Sequence, residues 1–234
     1  MFQESCARNR NAIYAIIGST PIQSTSIDGG INYNAGTGFT IAPGIIVTAA
    51  HIIHNAAVPE HSTHSTFAAI RAPDIGQSFE SITLISEDLQ RDVALFRITN
   101  PRSAEYLNLE STRVPIGTLC GSQGFPFAHF EPNQQGQSIF IATERFQGSH
   151  ISSYISIGDP TGRSMNFYET DSLMYPGSSG CPVFLANSKV VGMQVRSLME
   201  NNPSNPAAGG IRTSISALVP SMDIISFARS NTVF

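Results

Sequence analysis

The sequence has no run of basic residues and few charges of either sign. It holds 13 Lys and Arg against 17 Asp and Glu, a formal net charge of −4. Nucleic acid and anionic membranes are recognised by cationic stripes, so neither is expected as a partner. No apolar run approaches the roughly 18 residues that a transmembrane helix needs. The opening Met1-Phe2-Gln3-Glu4-Ser5-Cys6 lacks the basic region of a secretory leader, and the apolar stretch 12–17 is short for its core. A cytoplasmic location is expected on that basis. Three cysteines (Cys6, Cys120, Cys181) are too few and odd in number for a disulfide framework and are expected to be reduced. No Gly-Lys-Ser/Thr follows Gly29-Gly30 or the Gly36/Gly38 pair, which excludes a phosphate loop. His51, His54, His61 and His64 form two His-x-x-His pairs and raise a zinc site as an alternative. His-Glu-x-x-His is missing, however, and no cysteine lies nearby, so no metal and no cofactor are expected.

Apolar residues make up 41% of the chain and charged residues only 13%, which suits a folded core and excludes disorder. The pattern is one of short Ile-, Val-, Phe-, Thr- and Tyr-containing runs broken by Gly, Pro, Asn and Asp. Expected strands are 12–18, 38–42, 45–48, 67–71, 81–85 and 93–98, then 117–120, 138–146, 153–157, 165–169, 182–185, 190–195 and 211–214. Many recur at roughly 8–12-residue spacing, the pattern of an all-β sandwich or barrel. The polar, Pro-bounded stretch 100–115 reads as a connector between a first barrel (11–99) and a second (116–215), with a helix and tail over 216–234. Pro220 falls inside that helical pattern, so the helix is expected to start as late as Pro220 or Ser221. Residues 201–210 read as a surface loop.

Three segments carry chemistry. The first runs from Gly36 to Thr48-Ala49-Ala50-His51, a hairpin turning at Pro43-Gly44 whose second strand ends in small residues and a histidine. The second is Arg91-Asp92-Val93-Ala94-Leu95-Phe96, an aspartate opening an apolar strand. The third is Tyr175-Pro176-Gly177-Ser178-Ser179-Gly180-Cys181-Pro182, glycines flanking serines in a tight turn before a strand. Taken singly, these are a structural histidine, a cap and a turn. Their order within a two-barrel β pattern points instead to a nucleophile with its base.

The blocks Thr48-Ala49-Ala50-His51, Asp92-Val93-Ala94-Leu95 and Gly177-Ser178-Ser179-Gly180-Cys181-Pro182 resemble the three signature blocks of chymotrypsin-like serine peptidases. The separations of 41 and 87 residues agree with that family. Thr170-Asp171 followed by Pro176-Gly177-Ser178-Ser179-Gly180 looks most like the Deg (high-temperature-requirement) type, without room for a PDZ domain. The resemblance covers about residues 12–218. It implies an all-β, chymotrypsin-like double barrel and a serine endopeptidase acting on polypeptides, with His51 as base, Asp92 orienting it and Ser179 as nucleophile. It also implies an oxyanion hole of the Gly177 and Ser179 N–H groups.

Two departures matter. Secreted relatives carry Asp immediately before the nucleophile, to pair with a newly cut N-terminus. Ser178 stands there, and no Ile-Val-Gly-Gly-like segment lies near residue 12, so activation by trimming is not expected. Cys120 matches a cysteine that those relatives bond to a position held here by Leu185, so the usual disulfide is absent. Cys181, two after the nucleophile, reads as a small buried residue or as a redox-sensitive point.

By the same resemblance the S1 pocket is lined by Leu173, Met174 and Tyr175, by Gln194, Val195, Arg196 and Ser197, and by Gly210 and Arg212. With Leu173 in place of an acid, an apolar P1 residue of small or medium size is expected. Arg212 turned into the pocket would favour an acidic one. Residues 191–196 are expected to pair with the substrate backbone. Two rivals stand beside the enzyme reading. One is a double barrel that only binds. The other is a latent protease whose oxyanion loop orders when substrate, a regulatory protein partner or a homo-oligomer supplies the energy.

Overall fold

The computed structural model describes residues 2–21, 31–54, 63–77, 79–135, 138–158, 164–200 and 211–234. Six strands, β1 (Ile13–Pro21), β2 (Ile31–Ala42), β3 (Ile45–Thr48), β4 (Thr66–Arg71), β5 (Glu80–Asp88) and β6 (Val93–Ile98), close into a barrel in the order β1-β2-β3-β6-β5-β4. A two-stranded ribbon, β8 (His129–Pro132) with β9 (Ser138–Ile141), follows β7 (Leu119–Gly124). β7 belongs to a second barrel with β10 (Arg145–Gly158), β11 (Ser164–Thr170), β12 (Pro182–Phe184), β13 (Val190–Glu200) and β14 (Ile211–Pro220). Its order is β10-β11-β14-β13-β12-β7. Closure removes the unpaired edges that an open sheet would expose.

β3 is buried along its whole length and β6 at Val93, Ala94, Leu95, Phe96 and Ile98. Both strands are covered on two faces, so they read as near-continuous apolar runs rather than alternating ones. Their sequence limits agree with the structure for that reason. One apolar cluster reaches through both barrels, joining Ile16, Val47 and Phe96 to Phe125, Phe184 and Met193. A smaller one, with Val114, Cys120, Ile151 and Tyr168, lies in the second barrel.

Several elements differ from expectation. Residues 138–146 are not one strand: β9 ends at Ile141, and β10 starts afresh at Arg145 to pair with β7 from Arg145↔Gly124 to His150↔Leu119. Residues 216–220 are strand, not helix, because Ala217, Leu218 and Val219 are buried between β11 and β13. Pro220 ends that strand at φ −61°, and helix α2 (Ser221–Ser230) begins at the later of the two anticipated starts. A short helix, α1 (Gln3–Asn9), was not anticipated. It has no side-chain N-cap and is held by docking, with Ser5 Oγ donating to Ala186 O at 2.5 Å and Phe2 packed on Phe146 and Phe184. All three cysteines are free thiols, and among the described residues no helix is long and apolar enough to cross a membrane.

Candidate active site

The three chemistry-bearing segments converge where the barrels meet. β3 ends at Thr48 and the chain turns through a short 3₁₀ helix (Ala50–Ile53) that carries His51. Asp92, in the turn before β6, sits at φ +61°, a conformation that Asp and Asn tolerate better than most side chains. This backbone aims its carboxylate back at the 3₁₀ helix. Oδ1 accepts the His51 N–H at 2.8 Å and Oδ2 meets His51 Nδ1 at 2.7 Å, while Ala50 N–H donates to Asp92 O at 3.2 Å. An imidazole that donates through Nδ1 is, when neutral, an acceptor at Nε2. That nitrogen lies 2.8 Å from Ser179 Oγ in the second barrel. The His51 side chain is 49% exposed and Asp92 only 14%, so the carboxylate is sheltered while the imidazole faces the cleft.

Ser179 lies in a loop whose shape depends on two glycines. Gly177 (φ +87°) and Gly180 (φ +84°) occupy the left-handed region. A Cβ on Gly180 would lie 1.8 Å from Thr37 O, and one on Gly177 would lie 2.5 Å from Phe125 O. Only glycine fits either place. Pro176 O accepts Phe127 N–H at 2.7 Å, and across the trans peptide Gly177 N–H is turned the opposite way. Neither Gly177 N–H nor Ser179 N–H is bonded to a backbone acceptor among the described residues. Both are therefore available as donors to an anion developing beside Ser179.

Thr37, on β2 of the first barrel, holds this loop. Its N–H donates to Ser179 O at 2.8 Å, and its hydroxyl donates to Gly177 O at 2.9 Å while accepting Phe125 N–H at 3.0 Å. Thr48 Oγ1 in turn donates to Thr37 O at 2.6 Å. Reading from the sequence missed Thr37. Its flanking Gly36 and Gly38 were visible, but a threonine between glycines in a strand has no feature that announces three loop contacts.

A cavity of about 300 Å³ opens beside Ser179, lined by Met174, Tyr175, Pro176, Val195, Arg196 and Ser197. Five of the nine anticipated specificity residues are thus together. Leu173 and Gln194 are not among the lining residues. Gln194 is buried, its Nε2 points to Ser172 Oγ at 3.5 Å, and its main chain is bound to Cys181 O and Gly180 N. Gly210 lies outside the described residues, and of Arg212 only its place on β14 opposite Met199 is described. The anticipated edge 191–196 also shortens. Gly192 and Met193 are paired on both sides, with β12 and with β14, so the stretch open on its β12 side begins at Val195.

A second hollow, of about 400 Å³, is lined by His51, His54, Leu89, Gln90, Asp92 and Arg196, so Arg196 borders both. Its guanidinium carbon sits 5.1 Å from the centre of the Phe167 ring. The remaining histidines of the cluster are engaged elsewhere: His54 Nε2 meets Glu87 at 2.7 Å and His64 Nδ1 meets Thr20 Oγ1 at 3.1 Å, while His61 lies outside the described residues. Cys181 is buried, and that burial, only partly offset by hydrogen bonds from Thr37 and Phe125, pushes its thiol up to about 12. Cys120 is pushed up to about 11, again chiefly by burial. Such thiols stay largely protonated at neutral pH, which favours the reading of Cys181 as a small buried residue over the redox alternative.

Two closed barrels meeting over a His–Ser pair are the architecture of the chymotrypsin-like serine endopeptidases. A family model described as "Trypsin-like peptidase domain" matches residues 36–193, more than half of the chain, and the protein belongs to that family of serine endopeptidases. Among solved structures, the active form of the Rv3671c protease from M. tuberculosis superimposes with a TM-score of 0.66 at 17% identity, over 96% of this chain and 82% of that one. At that identity the likeness speaks for the fold. No curated protein matches the sequence.

Proposed function

We propose that residues 1–234 form one peptidase unit that cleaves polypeptides through a His51–Asp92–Ser179 triad and an acyl-enzyme intermediate. The observation that carries this reading is the continuous chain from Asp92 Oδ2 through both ring nitrogens of His51 to Ser179 Oγ, at 2.7 and 2.8 Å. As Ser179 Oγ attacks the scissile carbonyl, His51 Nε2 takes its proton, and Asp92 stabilises the imidazolium and fixes its tautomer. The carbonyl oxygen becomes an anion and is met by the Gly177 and Ser179 N–H groups, donors already oriented before the reaction. His51 then protonates the leaving amine, and water repeats the sequence on the acyl group.

Met174, Val195 and the ring of Tyr175 favour an apolar P1 side chain of small or medium size in the 300 Å³ cavity. A peptide library checks this; a dominant Asp or Glu preference would refute the apolar pocket and point to a cation there, Arg196 on its lining or Arg212. Likeness to the Deg type and a regulatory partner or homo-oligomer belong to the same proposal. Specific activity that rises with enzyme concentration would support self-assembly.

The test of the triad is labelling by a fluorophosphonate probe. Wild type is expected to label and Ser179→Ala not, with peptide turnover reduced by roughly 10⁴–10⁶-fold, whereas Ser178→Ala loses far less. Labelling that survives Ser179→Ala would remove Ser179 from the role. A wild type that never labels would favour the binding module.

A further inference from the structure

The chain leading into the nucleophile loop leaves the sheet early. The ladder between β10 and β11 ends at the Ile151–Thr170 pair, and no strand resumes before Pro182. Residues 174–176 nonetheless form one wall of the P1 cavity and need a fixed position. Two side chains of β10 continue the contact where the main-chain ladder stops. At Asp171 the carboxylate accepts His150 N–H at 2.6 Å and meets His150 Nδ1 at 3.2 Å. Two residues on, the Gln147 carboxamide faces the main-chain N–H and C=O of Leu173. With the amide assigned the orientation that satisfies both groups, its oxygen accepts Leu173 N–H at 3.3 Å and its nitrogen donates to Leu173 C=O at 3.0 Å. A carboxamide offers a donor and an acceptor in one plane, as a peptide group does, so this pair acts as one more rung of an antiparallel ladder.

The wall held this way borders a second cavity at Tyr175. That cavity, of about 290 Å³, is bordered by Gln147, Tyr175 and Ser178 among others, and Tyr175 also lines the P1 cavity. Loss of the Gln147 side chain would enlarge that cavity beside Tyr175. The residues just before Gln147 are braced by α1 and by Phe2 and Arg10 at its two ends. The Phe2 and Phe146 rings are 5.3 Å apart, Arg10 pairs with Glu144 at 2.6 Å, and Gln123 Nε2 bonds both Cys6 O and Glu144.

We propose that Gln147, on a segment braced by the N-terminal helix, is a positioning residue for P1 recognition, holding Leu173 so that Met174 and Tyr175 keep the pocket wall in place. The inference rests on the peptidase reading above. Its test compares, on the full chain, kcat/KM for a peptide carrying the preferred P1 residue with the labelling rate of a small fluorophosphonate that lacks a P1 side chain. Gln147→Ala is expected to lower kcat/KM for the peptide by roughly tenfold or more and to flatten the P1 profile, with the labelling rate held within about twofold. Gln147→Met, which fills similar space without either bonding group, is expected to behave alike and serves if the alanine variant fails to fold. Phe2→Ala is expected to shift the same ratio in the same direction, less strongly. Unchanged peptide kinetics, or equal losses in peptide cleavage and labelling, would overturn the proposal. A wild type that neither labels nor cleaves would defeat the peptidase reading instead.

Discussion

Asp92 combines two demands in one residue: a left-handed backbone at φ +61° and a carboxylate that meets both the N–H and the ring of His51. Asparagine tolerates the same backbone region, so Asp92→Asn separates the charge from the conformation. It is expected to lower kcat by about 10⁴-fold while leaving the far-UV spectrum and melting temperature close to wild type. A comparable loss of stability would mean that the residue is chiefly a structural turn. Thr37 offers the complementary case. Valine keeps its shape but leaves buried Phe125 N–H and Gly177 C=O without partners, at a cost of about 2 kcal/mol. Urea denaturation of Thr37→Val should register that loss together with a fall in kcat, and Thr37→Ser should restore both. His51, Asp92 and Ser179 were singled out in the sequence by the order and spacing of three blocks and their resemblance to the peptidase family, not by any one block alone. The fold brings the three side chains within hydrogen-bond reach. Thr37 and Gln147 were not legible in that way. Their roles come from partners brought close by strand register and barrel closure, Gly177 for one and Leu173 for the other, and neither partner is a sequence neighbour.

Between elements, the same division holds. β3 and β6 were readable because burial on two faces demands unbroken apolar runs, and α2 because Pro220 marks where a strand stops and a helix can begin. The break at 142–144 was not readable, since residues 138–146 form one β-like run and only pairing with β7 restarts the strand at Arg145. α1 escaped notice because a seven-residue helix is sustained by docking rather than by its own propensity. The packing of the segment before β4 against β1 also makes a pH prediction. His64 is buried there, its Nδ1 on Thr20 and its Nε2 without a hydrogen-bond partner among the described residues, and His54 lies near enough to act on its charge. Burial first, and then the nearby His54, hold the His64 imidazole below its ordinary 6.5. A proton therefore binds the unfolded chain before the folded one. The stability present above pH 6.5 is lost as pH falls through that value toward the depressed folded one. Urea midpoints at about pH 7.5 and 5.5 should fall further for wild type than for His64→Gln; parallel curves would exclude His64 as the cause.

At the scale of the whole molecule, the barrels are tied at more places than the site. Leu107 N–H donates to Thr40 O at 2.8 Å, Val190 N–H to Asn108 O at 2.8 Å and Glu110 N–H to Val190 O at 2.7 Å, so the connector is stitched to both barrels. The shared apolar cluster adds to these ties. A single thermal transition is expected, with loss of activity coincident with loss of β structure; two separated transitions would show barrels that fold independently. His51 and Asp92 come from the first barrel, whereas Ser179 and Gly177 come from the second. On the proposed triad, neither half of the chain, expressed alone, contains a complete set of reacting groups. A chain cut within the connector would therefore be silent as two pieces and would hydrolyse substrate only when they reassociate, which makes turnover a direct reporter of their proximity.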